Sequence, residues 1–170
     1  MDINYQTLKA DRYYKHLSTN DKQAILEKAP KMASILASEY SPSKILERLE
    51  ADRFKINLVR NAEQSAVKYR ARIEIGKERK IFIYEDSIEE FTTKFPQVTK
   101  EQVKMMFLAH EFLHYLEHTQ EASLKYEIKV NQFGFKRTRN IHAYSEIVAN
   151  EFAKLVTNSS INPMEIDKEN

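Results

Sequence analysis

The sequence predicts an α+β fold, on three observations. Helical periodicity runs through residues 5 to 51, apolar–polar alternation replaces it between residues 54 and 84, and helical patterning returns from residue 86. Strands gathered in one stretch, with helices on either side, are the pattern of a segregated sheet rather than of alternating βαβ units. A chain of 170 residues suits one compact domain and can bury a core without covalent staples.

The elements follow in order. Residues 5 to 39 read as helical, with Pro30 expected to separate two helices, because proline removes a helix hydrogen bond and clashes with the preceding turn. Ser41 is placed to cap the next helix and Pro42 suits its first turn. Ile45, Leu46 and Leu49 form that helix's apolar stripe. Phe54, Ile56 and Leu58 then alternate with polar neighbours, as in a half-buried strand. From Val67 the alternation is strict: Val67, Tyr69, Ala71, Ile73 and Ile75 face one way, and Lys68, Arg70, Arg72 and Glu74 the other. Gly76-Lys77 supplies a turn, and Lys80 to Tyr84 returns, giving a hairpin in a small, mostly antiparallel sheet. Thr99 and Gln102 form a capping box at the start of a long helix ending near Thr119. Leu124, Tyr126, Ile128 and Val130 alternate as a further strand, and a last helix covers about Ala143 to Thr157. The division is thus an N-terminal helical segment (1–41), a main domain (42–158) and a polar tail (159–170) expected to fray.

Composition excludes several classes of function. There is no cysteine, so no disulfide and no thiolate ligand; a metal must be held by His, Asp or Glu. The formal net charge of +2 is too near neutral for a nucleic-acid binder. The locally basic stretch Lys125 to Arg139 reads as a solvated surface or as a rim attracting an acidic partner. With Gly76 and Gly134 as the only glycines, phosphate-cradling loops are excluded. The N-terminus lacks a secretory pattern, and the longest apolar run, Met105 to Ala109, is too short to span a bilayer. The expectation is a cytoplasmic protein.

Residues 110 to 114 read His-Glu-Phe-Leu-His and fall inside the long helix. Residues four apart on a helix share a face, about 6 Å from one another, so His110 and His114 can reach one metal ion. Glu111 lies about 100° round the helix from His110, able to approach a water on that metal without ligating it. Zinc needs a third protein ligand if one position is to stay open for water. His118 is about 12 Å along the axis from His110, too far to join it, and reads as a helix-end residue favoured by the dipole. Glu117 and Gln120 stand where a metzincin pattern would need Gly and His.

The better third ligand is Glu146. It shares a face of the last helix with Ala149, Asn150 and Ala153, and the two alanines permit close packing on the motif helix. Asn150, one turn further, can bond the free ring nitrogen of a ligating histidine. Glu151 is the competing carboxylate and falls off this face. His142 and Tyr144 precede the ligand and could stabilise an oxyanion, or simply cap and pack the helix; Tyr115 reads as core, and Tyr84 could lie beside the cleft.

Together, His-Glu-Phe-Leu-His and Glu-Ile-Val-Ala-Asn-Glu-Phe-Ala resemble the ImmA/IrrE-type metallopeptidases, whose pattern is H-E-x-x-H followed by E-x-x-A-N-x-F-A. The match falls on His110, Glu111, His114, Glu146, Ala149, Asn150, Phe152 and Ala153, and the element order agrees over residues 42 to 157. The resemblance implies a zincin-like fold, zinc on two histidines and the later glutamate, and a protein substrate such as a helix-turn-helix repressor. It also implies an edge strand, Lys80 to Tyr84, that receives extended substrate. The sequence departs from the family at Leu113, where glycine is common, and at Lys154 to Asn158, where an apolar segment ending in proline is usual.

The function expected is metal-assisted peptide hydrolysis, with Glu111 as general base. The ligand set also accepts manganese or cobalt. The alternative is a catalytically inactive module of the same fold that binds a regulatory protein, with the fourth metal position filled by His118, His142 or Glu151. A DNA-binding role for residues 5 to 39 would need a stronger positive charge than this chain has.

Overall fold

The computed structural model describes residues 2–60, 70–132 and 134–167. The fold is α+β. Helices α1 (Ile3–Lys9), α2 (Thr19–Glu39) and α3 (Pro42–Ala51) precede strands β1 (Phe54–Val59), β2 (Ala71–Ile75) and β3 (Arg79–Tyr84). Helices α4 (Glu85–Lys94) and α5 (Lys100–His118), strands β4 (Glu127–Gln132) and β5 (Phe135–Asn140), and helix α6 (His142–Val156) complete it. The expected strand residues Val67, Lys68 and Tyr69 lie outside the described residues.

Pro30 does not divide the first helical stretch; α2 runs unbroken through it. Ile25, Ala29, Ala33 and Leu36 form one buried stripe on both sides of the proline. Packing of that stripe on α6 outweighs the local cost of about 3 kcal/mol. The break comes earlier, between α1 and α2. There Ser18 and Asp21 form a reciprocal cap, with Ser18 Oγ accepting from Asp21 N at 3.0 Å and Asp21 Oδ2 accepting from Ser18 N at 3.1 Å. α1 and α2 contribute Leu8, Ile25, Ala29, Ala33 and Leu36 to the core.

Ser41 caps α3 as expected, its hydroxyl accepting from Lys44 N at 3.3 Å. Ile45 and Leu49 are buried, whereas Leu46 is exposed, because the face turned inward is one residue narrower than the sequence stripe. The Thr99–Gln102 box is present at α5: Thr99 Oγ1 accepts from Gln102 N at 3.1 Å and Gln102 Oε1 from Thr99 N at 3.0 Å.

The main sheet has the order β1-β3-β2. β2 and β3 form the expected antiparallel hairpin, but β1 runs parallel to β3, so the sheet is mixed. Lys80 to Tyr84 is thus the central strand and not an edge; Ile81 and Ile83 have no exposure, as a strand flanked on both sides demands. β1 and β2 are the edges among the described residues. Ile56 and Leu58 on β1 are exposed rather than half-buried, because nothing among the described residues covers that edge.

β4 and β5 pair as a separate antiparallel ribbon. β5 has no alternating apolar pattern to announce it; its turn residue Gly134 sits at φ +81°, a conformation that favours glycine. The locally basic stretch forms this ribbon, with Lys129, Lys136 and Arg137 exposed.

α6 lies against both α2 and α5, and Phe112, Leu113, Leu116, Ile147, Val148 and Phe152 fill the contact. Residues 159–167, expected to fray, are instead packed on the fold. Ile161, Asn162 and Ile166 are buried, and Asn162 Nδ2 donates to Glu151 Oε1 at 3.1 Å. Asn4 Nδ2 donates to the same oxygen at 2.9 Å, so Glu151 ties both ends of the chain to α6. Among the described residues, no helix is long and apolar enough to cross a membrane.

Candidate metal centre

The motif helix is seated by its own apolar residues. Phe107, Leu108, Ala109, Phe112 and Leu113 are buried, and this leaves His110, Glu111 and His114 on the partly open flank of α5. α6 crosses that flank with its small residues, Ala149 and Ala153, fully buried. Glu146 is thereby brought to the two imidazoles.

The geometry is that of one coordination site. His110 Nε2 and His114 Nε2 lie 3.1 Å apart. Glu146 Oε1 is 3.4 Å from His114 Nε2, and Glu146 Oε2 is 3.7 Å from His110 Nε2. Zinc bonds of about 2.0–2.1 Å in tetrahedral array set donor–donor edges of about 3.3–3.4 Å. The three donors therefore fit a single zinc-sized cation. They form the one such cluster of His and carboxylate groups among the described residues.

Both ring orientations are fixed from behind. Asn150 Oδ1 is 3.1 Å from His110 Nδ1; an amide oxygen can only accept, so Nδ1 carries the proton and Nε2 is free to ligate. Asn150 Nδ2 donates to the Glu146 carbonyl at 2.8 Å, which joins this support to the third ligand. His114 Nδ1 is 3.5 Å from Glu117 Oε2, and Ser145 Oγ donates to the same oxygen at 2.8 Å. The sequence assigns neither Glu117, which it shows only as a departure from the metzincin pattern, nor Ser145 a role behind His114. Glu117 sits one turn beyond His114, but its role depends on a buried serine from another helix.

Electrostatics separate the two imidazoles. Burial, together with the charge on His114, pushes His110 down to about 4. Burial opposes charge on His114 as well, but hydrogen bonds to Glu117 and Glu146 outweigh it and raise His114 to about 10. Burial also works against the Glu146 carboxylate, yet His114 and His142 hold it well below the usual range. Glu111 moves the other way. Burial, reinforced by the charge of Glu146, raises it, with His114 and the Ile73 backbone amide opposing.

That amide lies on the side of β2 that is unpaired among the described residues. Arg70 O accepts from Tyr84 N at 3.0 Å, so Arg70, Arg72 and Glu74 turn their backbone groups toward β3. By the alternation of an antiparallel ladder, Ala71, Ile73 and Ile75 turn theirs outward, beside Glu111.

The remaining candidates are dispersed. His142 begins α6, largely exposed, with Nε2 3.2 Å from Glu146 Oε1. It stands outside the three-donor cluster. Tyr144 is buried in the core, its ring 5.8 Å from that of Tyr126. Tyr115 is core, donating to Asp52 Oδ2 at 2.9 Å, and Tyr84 is buried at the end of β3. His118 is exposed at the end of α5. Glu151 is bound to the chain ends.

No family model matches the chain, and no curated protein or solved structure is significantly similar to it.

Proposed function

We propose that this protein is a zinc-dependent metallopeptidase of zincin-like fold that hydrolyses a peptide bond in a protein substrate. The observation that carries the reading is the convergence of His110, His114 and Glu146 at donor spacings that suit one tetrahedral cation, with Glu111 beside them. The resemblance to ImmA/IrrE-type enzymes adds the substrate class, a helix-turn-helix repressor. The lack of cysteine suits the reducing cytoplasm.

Zinc on these ligands would supply a Lewis acid for the scissile carbonyl and acidify the attacking water. The protein's own groups do the rest. Glu111 takes the water's proton on its carboxylate and delivers it to the leaving nitrogen. Its burial raises its proton affinity, which suits a base that must hold the proton between those two events. The outward amides and carbonyls of Ala71, Ile73 and Ile75 receive extended substrate as an added strand. His142, exposed at the rim, donates toward the oxyanion.

The test is zinc content together with cleavage of a repressor encoded beside the protein. Wild type should hold one zinc and cleave; Glu111→Gln should hold the same zinc and lose at least about a hundredfold in rate. Cleavage by the glutamine variant at the wild-type rate would remove Glu111 from its role. Wild-type protein that binds zinc yet never cleaves would favour the inactive binding module.

A further inference from the structure

A cavity of about 530 Å³ opens beside the metal cluster, with Glu146 and His142 in its lining. Its other walls come from parts of the chain that the catalytic motif does not include. Thr7 and Ala10 come from α1 and its cap, Ala143 from the first turn of α6, and Met164 from the C-terminal segment. We infer that this cavity is the substrate specificity subsite, and that it takes a large apolar side chain (Leu, Met or Phe) flanking the scissile bond. The inference rests on the peptidase reading.

Continuity with the cluster decides the occupant. A peptide whose carbonyl faces the cation must carry the neighbouring side chain past Glu146, and this cavity lies there. Its volume is within the range of about 300–1,000 Å³ usual for ligand pockets. The lining also rejects a basic side chain. Asp11, the one other carboxylate on the wall, is engaged twice: Oδ2 accepts from Ala143 N at 2.9 Å and Oδ1 from Tyr13 N at 2.8 Å. Arg12 stands next to it and repels a second cation. Apart from His142 and Glu146 at the cluster end, what remains is methyl and thioether surface from Thr7, Ala10, Ala143 and Met164, whose sulfur accepts from Arg70 Nη1 at 3.2 Å.

The walls are held in place. The Asp11–Ala143 bond satisfies an otherwise free amide at the start of α6 and fixes the α1 segment against the ligand helix. Asn4 and Asn162 converge on Glu151 and hold the α1 and Met164 sides together. An open, preformed recess lined by both chain ends and ending on a ligand residue is suited to reading a substrate side chain.

Zinc-loaded protein and a peptide library varied on either side of the cleaved bond test this. Wild type should prefer Leu, Met or Phe over Ala at one flanking position by tenfold or more in kcat/KM. Ala10→Trp, which fills the mouth, should reduce that preference to twofold or less with zinc content unchanged, and Met164→Ala should shift it toward larger rings. A second readout needs no catalysis: the Met164 methyl NMR signal of the metal-free protein should move on addition of N-acetyl-phenylalanine amide and stay still in Ala10→Trp. Cleavage with the same preference in all three proteins, or a Met164 signal indifferent to the amide, overturns the subsite and leaves the peptidase reading standing. A wild type that holds zinc and cleaves no library member overturns both.

Discussion

Asn150 Oδ1 and His110 Nδ1 face one another at 3.1 Å, and the same asparagine donates to the Glu146 carbonyl at 2.8 Å. One buried side chain thus contacts the ring of one candidate metal donor and the backbone carrying another. Removing such a partner costs about 10–100-fold in metal affinity. Asn150→Ala should weaken zinc binding by that factor in a chelator competition while far-UV circular dichroism stays that of the wild type. Unchanged affinity would mean that His110 needs no support.

The two glutamates of α6 should separate cleanly. Glu146 lies in the donor cluster, while Glu151 accepts from Asn4 and Asn162 and pairs with Lys154 at 3.8 Å. Glu146→Ala should abolish tight, stoichiometric zinc binding. Glu151→Ala should keep the zinc but leave two amide donors unpaired, at a cost of about 1–3 kcal/mol, and speed proteolysis at both ends of the chain. Loss of zinc in the Glu151 variant alone would exchange their roles.

Acid should weaken one defined tether. Arg48 forms a two-point pair with Glu121, at 2.9 and 2.7 Å, and also binds Asp52. Burial works against the Asp52 carboxylate, but Arg48 and Tyr115 outweigh it and lower Asp52; the Arg48 hydrogen bonds lower Glu121. Both folded-state values lie below the unfolded ones. The stabilisation is therefore complete above the unfolded carboxylate range of about 4 and disappears as the pH falls through the depressed values. The sites are part-exposed, so the contribution at neutral pH is about 1 kcal/mol. In urea titrations, wild type should exceed Arg48→Ala at pH 7, and the gap should narrow as the pH falls below the unfolded carboxylate range of about 4. A gap independent of pH would assign the effect of Arg48 to packing alone.

Helical spacing put His110 and His114 on one face of α5 and Glu146 on one face of α6, so the candidate donors were legible in the sequence although their meeting needs the two helices to pack. Asn150 followed from the same rule. Glu117 was not legible, since its bond to Ser145 depends on how α5 and α6 cross. The resemblance made Lys80 to Tyr84 an edge strand, and the sheet order corrects that. Lys80 to Tyr84 reads as a strand from its own residues, but its central place comes from parallel pairing with β1, a partner distant in the sequence that no local pattern reveals. The docking of the chain ends rests on Asp11, Asn4 and Asn162, polar residues whose partners are far away in the sequence.

Pro30 offers the sharpest contrast between a local rule and its tertiary outcome. The residue has no amide hydrogen for the Leu26 carbonyl, yet α2 continues from Thr19 to Glu39. Ile25, Ala29, Ala33 and Leu36 keep the helix continuous across the site by burying one face on α6. The local penalty is then still present in the folded state, at about 3 kcal/mol, partly offset by about 0.4–1 kcal/mol from proline's restriction of the unfolded chain. Pro30→Ala should therefore raise the unfolding free energy of the metal-free protein by about 2 kcal/mol, read from the urea midpoint at constant slope. A lower midpoint would show that α2 needs the proline's geometry to seat its apolar stripe on α6.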